Sequence, residues 1–297
     1  MFSGWSDAHL GLLHLLFALS LLFIQHGMNW MSGLLMGVAC HLDLSYAPII
    51  LSMAAITAYP TDGNSTRKPS LIGLLLCFIV SSGLLAWMGI QAMGNINVYL
   101  NAMLKHHLPH QQLQPGLGLR WYLNAEVMEP FRLPLDLLFE AAQYVMPAVV
   151  VWIFRGRNAF TLMARQQQQQ LALFLVLAMT FLFKAAPTMQ DLVICLSFLP
   201  RLSPIIKHST RVRFCLLAMT ISMVLAACFH GTWLDSAHTN VNYFYFAILG
   251  VSISMMMLVI DLVKAEKRSR HAKGNGEEDV KKTSNRLYKQ LQDPFKQ

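Results

Sequence analysis

Five ionisable side chains lie within or beside long apolar stretches of the sequence, where a charge can do chemistry. They are Asp136, Glu140, Lys184, Asp191 and Asp261. Charges are costly inside a bilayer, so such residues are candidates for a functional site. Lys184 and Asp191 flank Pro187 and are near enough in sequence to pair across a turn. The alternatives are a site that lines a polar cavity, or a purely structural lysine at the interface and an aspartate that begins a helix.

A second group of candidate residues precedes the apolar stretch that begins near residue 133. Trp121 and Tyr122 are followed by Glu126 and Glu129. Carboxylates at i and i+3 share one face of a helix and could form a paired-carboxylate site. The alternative for the two aromatic residues is an interfacial anchor.

A third group borders the last apolar stretch. Asn240 and Asn242 are followed directly by an aromatic block that includes Tyr243 and Phe244. Amides hydrogen-bond to hydroxyls or phosphates, and aromatic rings pack against acyl chains or sugar faces. This pattern favours a ligand with polar and apolar parts. The alternative is a loop turn followed by an aromatic belt at the membrane interface.

No catalytic or metal-binding motif completes these groups. The sequence contains no HExxH, no GxSxG and no phosphate-binding glycine loop. Its five cysteines lie in apolar stretches without CxxC spacing, which is typical of small buried side chains. His106, His107 and His110 have no cysteine or carboxylate at ligand spacing. We therefore predict no catalytic residue, no metal site and no cofactor.

The composition shows what kind of fold must position these residues. Of the 297 residues, 55% are hydrophobic and only 13% are charged, whereas a soluble domain has about a quarter charged residues. Long apolar runs without strand alternation predict an all-α, polytopic transmembrane bundle of about eight helices. The clear runs are 70–92, 133–154, 171–187, 213–230 and 243–263, and the less certain ones are 8–25, 28–41, 46–60 and 188–206.

The positive charges predict the orientation of this bundle. The net charge is +8, but the basic residues cluster in the loops 155–170 and 207–213 and after Lys264, which are therefore expected to face the cytoplasm. The loops 93–131 and 231–242 then face the opposite side. This arrangement argues against a nucleic-acid partner. We divide the chain into a transmembrane domain, 1–264, and a polar cytoplasmic tail, 265–297, which lacks apolar periodicity and is predicted to be disordered.

Three segments of the chain resemble PIG-U, a membrane subunit of the glycosylphosphatidylinositol (GPI) transamidase. The segment 115–131 is similar to the family's Gly-Leu-x-Trp-Tyr…Glu-x-x-Glu-x-Phe stretch, and 183–191 to its Phe-Lys-x-x-Pro-Thr-x-x-Asp segment. The segment 236–245 resembles Ser-Ala-Asn-x-Asn-Phe-Phe-Tyr, with one more residue before the amide pair. The matches occur in family order, and the resemblance is clearest over 110–264.

The resemblance implies a non-catalytic, multi-pass protein of the endoplasmic reticulum membrane whose fold is related to multi-spanning mannosyltransferases. The complex removes a C-terminal signal from precursor proteins and joins the new carboxyl end to GPI. Its nucleophilic cysteine belongs to a PIG-K-like protease, and the other expected partners are PIG-T-like, PIG-S-like and GPAA-like subunits. This chain would help to hold the GPI lipid and the signal peptide. The implied lipid-binding residues are Asn240, Asn242, Tyr243, Phe244, Trp121, Tyr122, Glu126, Lys184 and Asp191.

Two alternatives come from other functional classes. A polytopic glycosyltransferase of the GPI-mannosyltransferase type needs an acidic base in its first outer loop. The early candidate is Asp43, whose neighbours His41 and Tyr46 do not make a convincing acid–base site. A small transporter predicts repeated halves with broken helices; the sequence shows no such symmetry, although the Pro-interrupted stretch 188–206 leaves this alternative open. Family members are also longer, so we expect this chain to lack the family's amino-terminal helix and large outer loop.

Overall fold

A computed structural model describes residues 4–42, 47, 49, 71–107, 117–155, 162–184, 187–236 and 240–292. Over these ranges the protein is helical and contains no β-strand. The helices are α1 (Gly4–Gln25), α2 (Asn29–Leu42), α3 (Leu71–Met93), α4 (Ile96–His107), α5 (Arg120–Glu126), α6 (Glu129–Arg155), α7 (Leu162–Phe183), α8 (Met189–Ser197), α9 (Ser203–Ile206), α10 (Val212–Ser236) and α11 (Val241–Gln292), and a 3-10 turn, Leu199–Leu202, joins α8 to α9.

Five helical segments in the described part of the chain are long and apolar enough to cross a membrane. They are Ile72–Met93, Glu129–Ile153, Met189–Ile206, Val212–Trp233 and Val241–Ala272. Two shorter apolar helical segments, Gly11–Ile24 and Gln167–Phe183, accompany them. The protein is therefore a helical membrane protein, as its composition predicts. The expected number of about eight helices stays a prediction, because most of 46–60 lies outside the described residues.

Helix α7 forms the centre of the bundle. Its residues Leu171, Phe174, Val176 and Ala178 are completely buried, and they pack in one cluster with residues of α1, α8 and α11. A helix that is apolar on all sides is a core helix. The apolar run predicted at 171–187 is thus a helix that neighbouring helices enclose, and it ends at Phe183.

Helices α2 and α3 approach each other at two glycines. A Cβ atom on Gly33 would lie 2.2 Å from the carbonyl oxygen of Leu74, and one on Gly37 would lie 2.9 Å from that of Phe78. Small residues four positions apart allow two membrane helices to come this close. The pair therefore packs backbone against backbone.

The polar segment that follows Lys264 belongs to helix α11. Helix α11 continues without a break to Gln292, and Ala265, Glu266 and Ser269 are buried. The physical reason is that a spanning helix already supplies the costly nucleus, so each further residue only has to extend it. The segment 265–292 contains no proline and many lysines, arginines, glutamates and glutamines, which are good helix formers.

The region 93–131, expected to be a long outer loop, also contains regular structure. Helix α4 occupies Ile96–His107 and α5 occupies Arg120–Glu126. Helix α5 ends where Val127 adopts an extended backbone, and α6 begins at Glu129. The seven residues of α5 are too few for a helix that is stable by itself, so contacts with the rest of the protein must hold it.

Candidate functional site

Helix α5 contacts both α6 and α11, and its side chains divide accordingly. Arg120 and Asn124, one turn apart, bond to α6. Trp121 and Tyr122 contact the first turns of α11. This short helix therefore joins the second predicted group of residues to the third.

Four aromatic rings form the contact between α5 and α11, and we call them the aromatic platform: Trp121, Tyr122, Phe244 and Tyr245. The rings of Tyr122 and Tyr245 stack with their centroids 3.6 Å apart, and those of Trp121 and Phe244 are 5.8 Å apart. Trp121 and Phe244 are buried, whereas Tyr122 and Tyr245 are half-buried. The platform thus has an enclosed base and an accessible rim.

The rim of the platform carries polar groups. The hydroxyl of Tyr122 donates to Oδ1 of Asn242 at 2.9 Å. The pKa of Tyr122 is raised, mainly by burial and then by the charge and hydrogen bond of Glu126 and the charge of Tyr245. Its phenol therefore stays protonated and able to donate. Asn242, Tyr243 and Glu126 are exposed. This edge therefore presents amide, phenol and carboxylate groups beside aromatic faces.

Asn240 has a role that its spacing alone did not reveal. Its side-chain Oδ1 accepts the backbone N–H of Asn242 at 3.1 Å, and its carbonyl accepts the N–H of Tyr243 at 3.0 Å. An asparagine in this position caps the first turn of a helix. Asn240 therefore begins α11, while Asn242 is the amide that contacts the platform. Its predicted contact with a lipid headgroup stays a prediction.

A buried cluster of charges anchors α5 to α6. Arg120 Nε donates to Asp136 Oδ1 at 2.7 Å and its Nη1 donates to Glu140 Oε1 at 2.8 Å. Asn124 Nδ2 donates to the same Asp136 oxygen at 2.7 Å. Arg120 is 2% exposed and Asp136 is 4% exposed. Sequence reasoning selected the two carboxylates but missed Arg120 and Asn124. Arg120 and Asn124 are four residues apart, as are the two carboxylates. This i, i+4 spacing, which places each pair on one face of its helix, was the available signal.

Lys184 and Asp191 pair across the turn at Pro187, as their spacing predicts. Lys184 Nζ lies 3.2 Å from Asp191 Oδ2. The same carboxylate accepts from the backbone N–H and hydroxyl of Thr188 at 2.8 and 2.9 Å, and His14 Nε2 lies 3.1 Å from its other oxygen. Thr188 and Asp191 form a capping box at the start of α8. This arrangement neutralises Lys184 and makes Asp191 a junction between α1, α7 and α8.

The turn at Pro187 also touches the segment that leads into α5. A Cβ atom on Gly118 would lie 2.6 Å from Cδ of Pro187, so only glycine fits this contact without a shift. A small cavity borders the ion pair and is lined by Phe17, Leu177, Thr180, Phe181, Lys184 and Asp191 among others. The segments 117–126, 183–191 and 240–245 are therefore neighbours, although they are far apart in sequence.

Comparison with known proteins identifies the family. A family model described as "GPI transamidase subunit PIG-U" matches residues 2–251, which is most of the chain. The chain belongs to the PIG-U family.

Curated relatives of this PIG-U family member agree with that assignment. It is 28% identical over 173 residues to the "GPI transamidase component GAB1 homolog" of Schizosaccharomyces pombe, covering 56% of this chain and 38% of the relative. It is 23% identical over 149 residues to the "GPI-anchor transamidase component PIGU" of Cricetulus griseus, covering 50% of this chain and 32% of the relative. The protein of the same name from Homo sapiens is 22% identical over the same shares. The matches thus span about a third of the relatives' length.

One predicted arrangement differs from the structure of this PIG-U family member. The paired-carboxylate site on one helix face is wrong, because Glu126 ends α5, Glu129 begins α6 and the extended Val127 separates them. Among the described residues no group of three or more His, Cys, Asp or Glu side chains is arranged to hold a metal ion. Asp43 and Tyr46 lie outside the described residues.

Proposed function

We propose that this chain is a non-catalytic subunit of the GPI transamidase complex, in the endoplasmic reticulum membrane, and that it binds the GPI lipid at the aromatic platform. Membership of the PIG-U family supports the assignment to the complex, as do the relatives named as transamidase components. The same resemblance supports a catalytic cysteine on a PIG-K-like subunit, with PIG-T-like, PIG-S-like and GPAA-like subunits as further partners. The end of α11 that carries Lys264 faces the cytoplasm.

The observation that carries the proposal is the meeting of α5 and α11. Tyr122 stacks on Tyr245 and donates to Asn242, so one accessible edge combines aromatic faces with amide and phenol groups. GPI contains sugars and phosphates joined to acyl chains. Aromatic rings pack against the faces of sugars and against acyl chains, while amides and phenols hydrogen-bond to hydroxyls and phosphates.

The position of this edge relative to the membrane also suits a lipid. Tyr243 and Phe246 are 57% and 70% exposed on the first turns of α11, at the start of the Val241–Ala272 spanning segment. Aromatic residues at this level lie in the interface between headgroups and hydrocarbon. A lipid could therefore place its headgroup at Asn242 without leaving the bilayer. The signal peptide of a precursor is the second proposed ligand of the same complex.

The test is binding of a photoreactive GPI analogue to the purified transamidase complex that contains this chain. Tyr122→Ala removes one stacked ring and the hydrogen bond to Asn242, so we expect roughly tenfold weaker labelling of the chain. Asn242→Ala is expected to act in the same direction. The matched control is Phe246→Ala, which removes an outward-facing ring from the same helix.

Two readings separate loss of binding from loss of structure. Co-purification of the other subunits is expected to be unchanged in all three variants, because Tyr122 and Asn242 are not in the enclosed core. Wild-type labelling of the Tyr122→Ala complex would refute the proposed binding site. Equal losses for Tyr122→Ala and Phe246→Ala would also refute it, since the effect would then not depend on the platform.

A further inference from the structure

The other end of α11 contains a second polar centre, arranged around Asp261. Its Oδ2 accepts the backbone N–H of Arg211 at 2.9 Å and the hydroxyl of Ser209. Its Oδ1 accepts from Arg268 Nη2 at 3.2 Å. Lys264 is one turn from Asp261 on the same face of α11. We call Ser209, Arg211, Asp261, Lys264 and Arg268 the Asp261 corner.

The charges of this corner do not balance on its outer surface. Asp261 is 4% exposed and already bonded to Arg268, so its negative charge is not presented at the surface. The nearby Glu266 is also buried and pairs with Arg270. Arg211 and Lys264 are exposed, and neither forms an ion pair with any described residue. Three cations around one carboxylate leave a net charge of about two positive units beside the hydroxyls of Ser209 and Thr210.

The corner lies at the depth of lipid phosphates. The apolar residues 241–262 of α11 extend about 33 Å at 1.5 Å per residue, which is close to the hydrocarbon thickness of a bilayer, about 30 Å. Lys264 follows directly after this stretch. The general excess of basic residues on one side of a membrane protein does not require the turn before α10 and helix α11 to hold their cations around one shared carboxylate.

We propose that the Asp261 corner binds the phosphate of an anionic phospholipid headgroup in the leaflet next to it. Arg211 and Lys264 donate to the phosphate oxygens, whereas the hydroxyl of Thr210 already donates to Asp261 Oδ1 at 3.4 Å. Arg268 offsets the charge of Asp261 and so removes the repulsion that a phosphate would otherwise meet. The depth of the corner in the membrane favours a lipid over an acidic peptide, because a peptide would have to displace lipid headgroups to reach Lys264. This site is separate from the aromatic platform and does not depend on GPI binding.

The test uses the purified complex and follows its thermal unfolding during titration with short-chain phosphatidylserine or phosphatidylcholine. We expect phosphatidylserine to raise the unfolding temperature and phosphatidylcholine to have little effect. The double variant Arg211→Gln/Lys264→Gln is expected to bind phosphatidylserine about 30-fold more weakly, because each basic residue near an anionic surface contributes about a factor of five. The matched control is Arg213→Gln/Lys267→Gln, which removes two exposed cations from the same two helices outside the corner.

Each contrary result identifies a different error. Equal losses in the two double variants would overturn the site, because the attraction would then be a diffuse effect of net charge. Equal stabilisation by glycerol phosphate without acyl chains would show a soluble phosphate ligand and overturn the lipid assignment. Stabilisation by an acidic peptide but not by phosphatidylserine would show a protein partner, and it would overturn that assignment as well.

Discussion

The buried charge cluster makes Arg120 the residue on which the position of α5 depends. Arg120→Met keeps most of the side-chain volume but removes the cation that bonds to the buried carboxylate of Asp136. Removing one member of a buried ion pair costs about 3–5 kcal/mol. Glu140 adds little, because its side chain is 38% exposed and can be hydrated. For 297 residues, an unfolding entropy of about 2.1 cal/mol/K per residue converts this loss into a fall of about 5–8 °C in unfolding temperature.

Thermal unfolding of the purified complex measures this effect, and a second substitution tests its cause. The double variant Arg120→Met/Asp136→Asn is expected to recover at least half of the loss, because no buried charge remains without a partner. The control is Arg132→Met, which should cost about 1 kcal/mol, since within the described part of the chain Arg132 donates to the carbonyl of Val127 alone, at 3.2 Å. A single variant as stable as wild type, or a double variant less stable than the single one, would refute the reasoning.

Two further predictions concern close packing and capping. Gly33→Ala is expected to destabilise the protein by about 1–3 kcal/mol because its Cβ meets the backbone of Leu74. Gly83→Ala, with open space around it, should be neutral or slightly stabilising. Thermal unfolding compares the two variants, and equal effects would contradict the close approach of α2 and α3. Asn240→Ala removes a cap worth about 0.5–2 kcal/mol, so hydrogen exchange should become faster at the amides of Asn242 and Tyr243, and unchanged exchange would show that the cap is not formed.

Local patterns in the sequence predicted the parts of the site that depend on neighbouring residues. The pairing of Lys184 and Asp191 followed from their positions on either side of Pro187, and the structure confirms it. The spanning segments followed from apolar length, which the bilayer imposes directly. The step from a polar loop to an apolar run also predicts that Asn242 and Tyr243 lie at the membrane edge, which stays a prediction. In each case a short stretch of chain contains all the information.

The remaining contacts join residues that are far apart, and no local pattern specifies them. His14 meets Asp191 across 177 positions, and Tyr122 meets Asn242 across 120. The carboxylates to which Arg120 bonds depend on how α5 is oriented against α6, and packing determines that orientation. The polarity of residues 265–292 predicts exposure, but it does not predict loss of helix where an upstream span has already nucleated the helix.

The enclosure of α7 has a consequence for how the chain is made. Residues 166–170 of this helix are glutamines, which are poorly soluble in hydrocarbon, and the apolar segment Gln167–Phe183, which includes four of them, is shorter than a full membrane span. The ribosome completes α7 before it has synthesised α8 and α11, which supply much of its final surroundings. Helix α7 therefore reaches its native environment only after α11 has been synthesised, and assembly of this core is a late step relative to the insertion of α7.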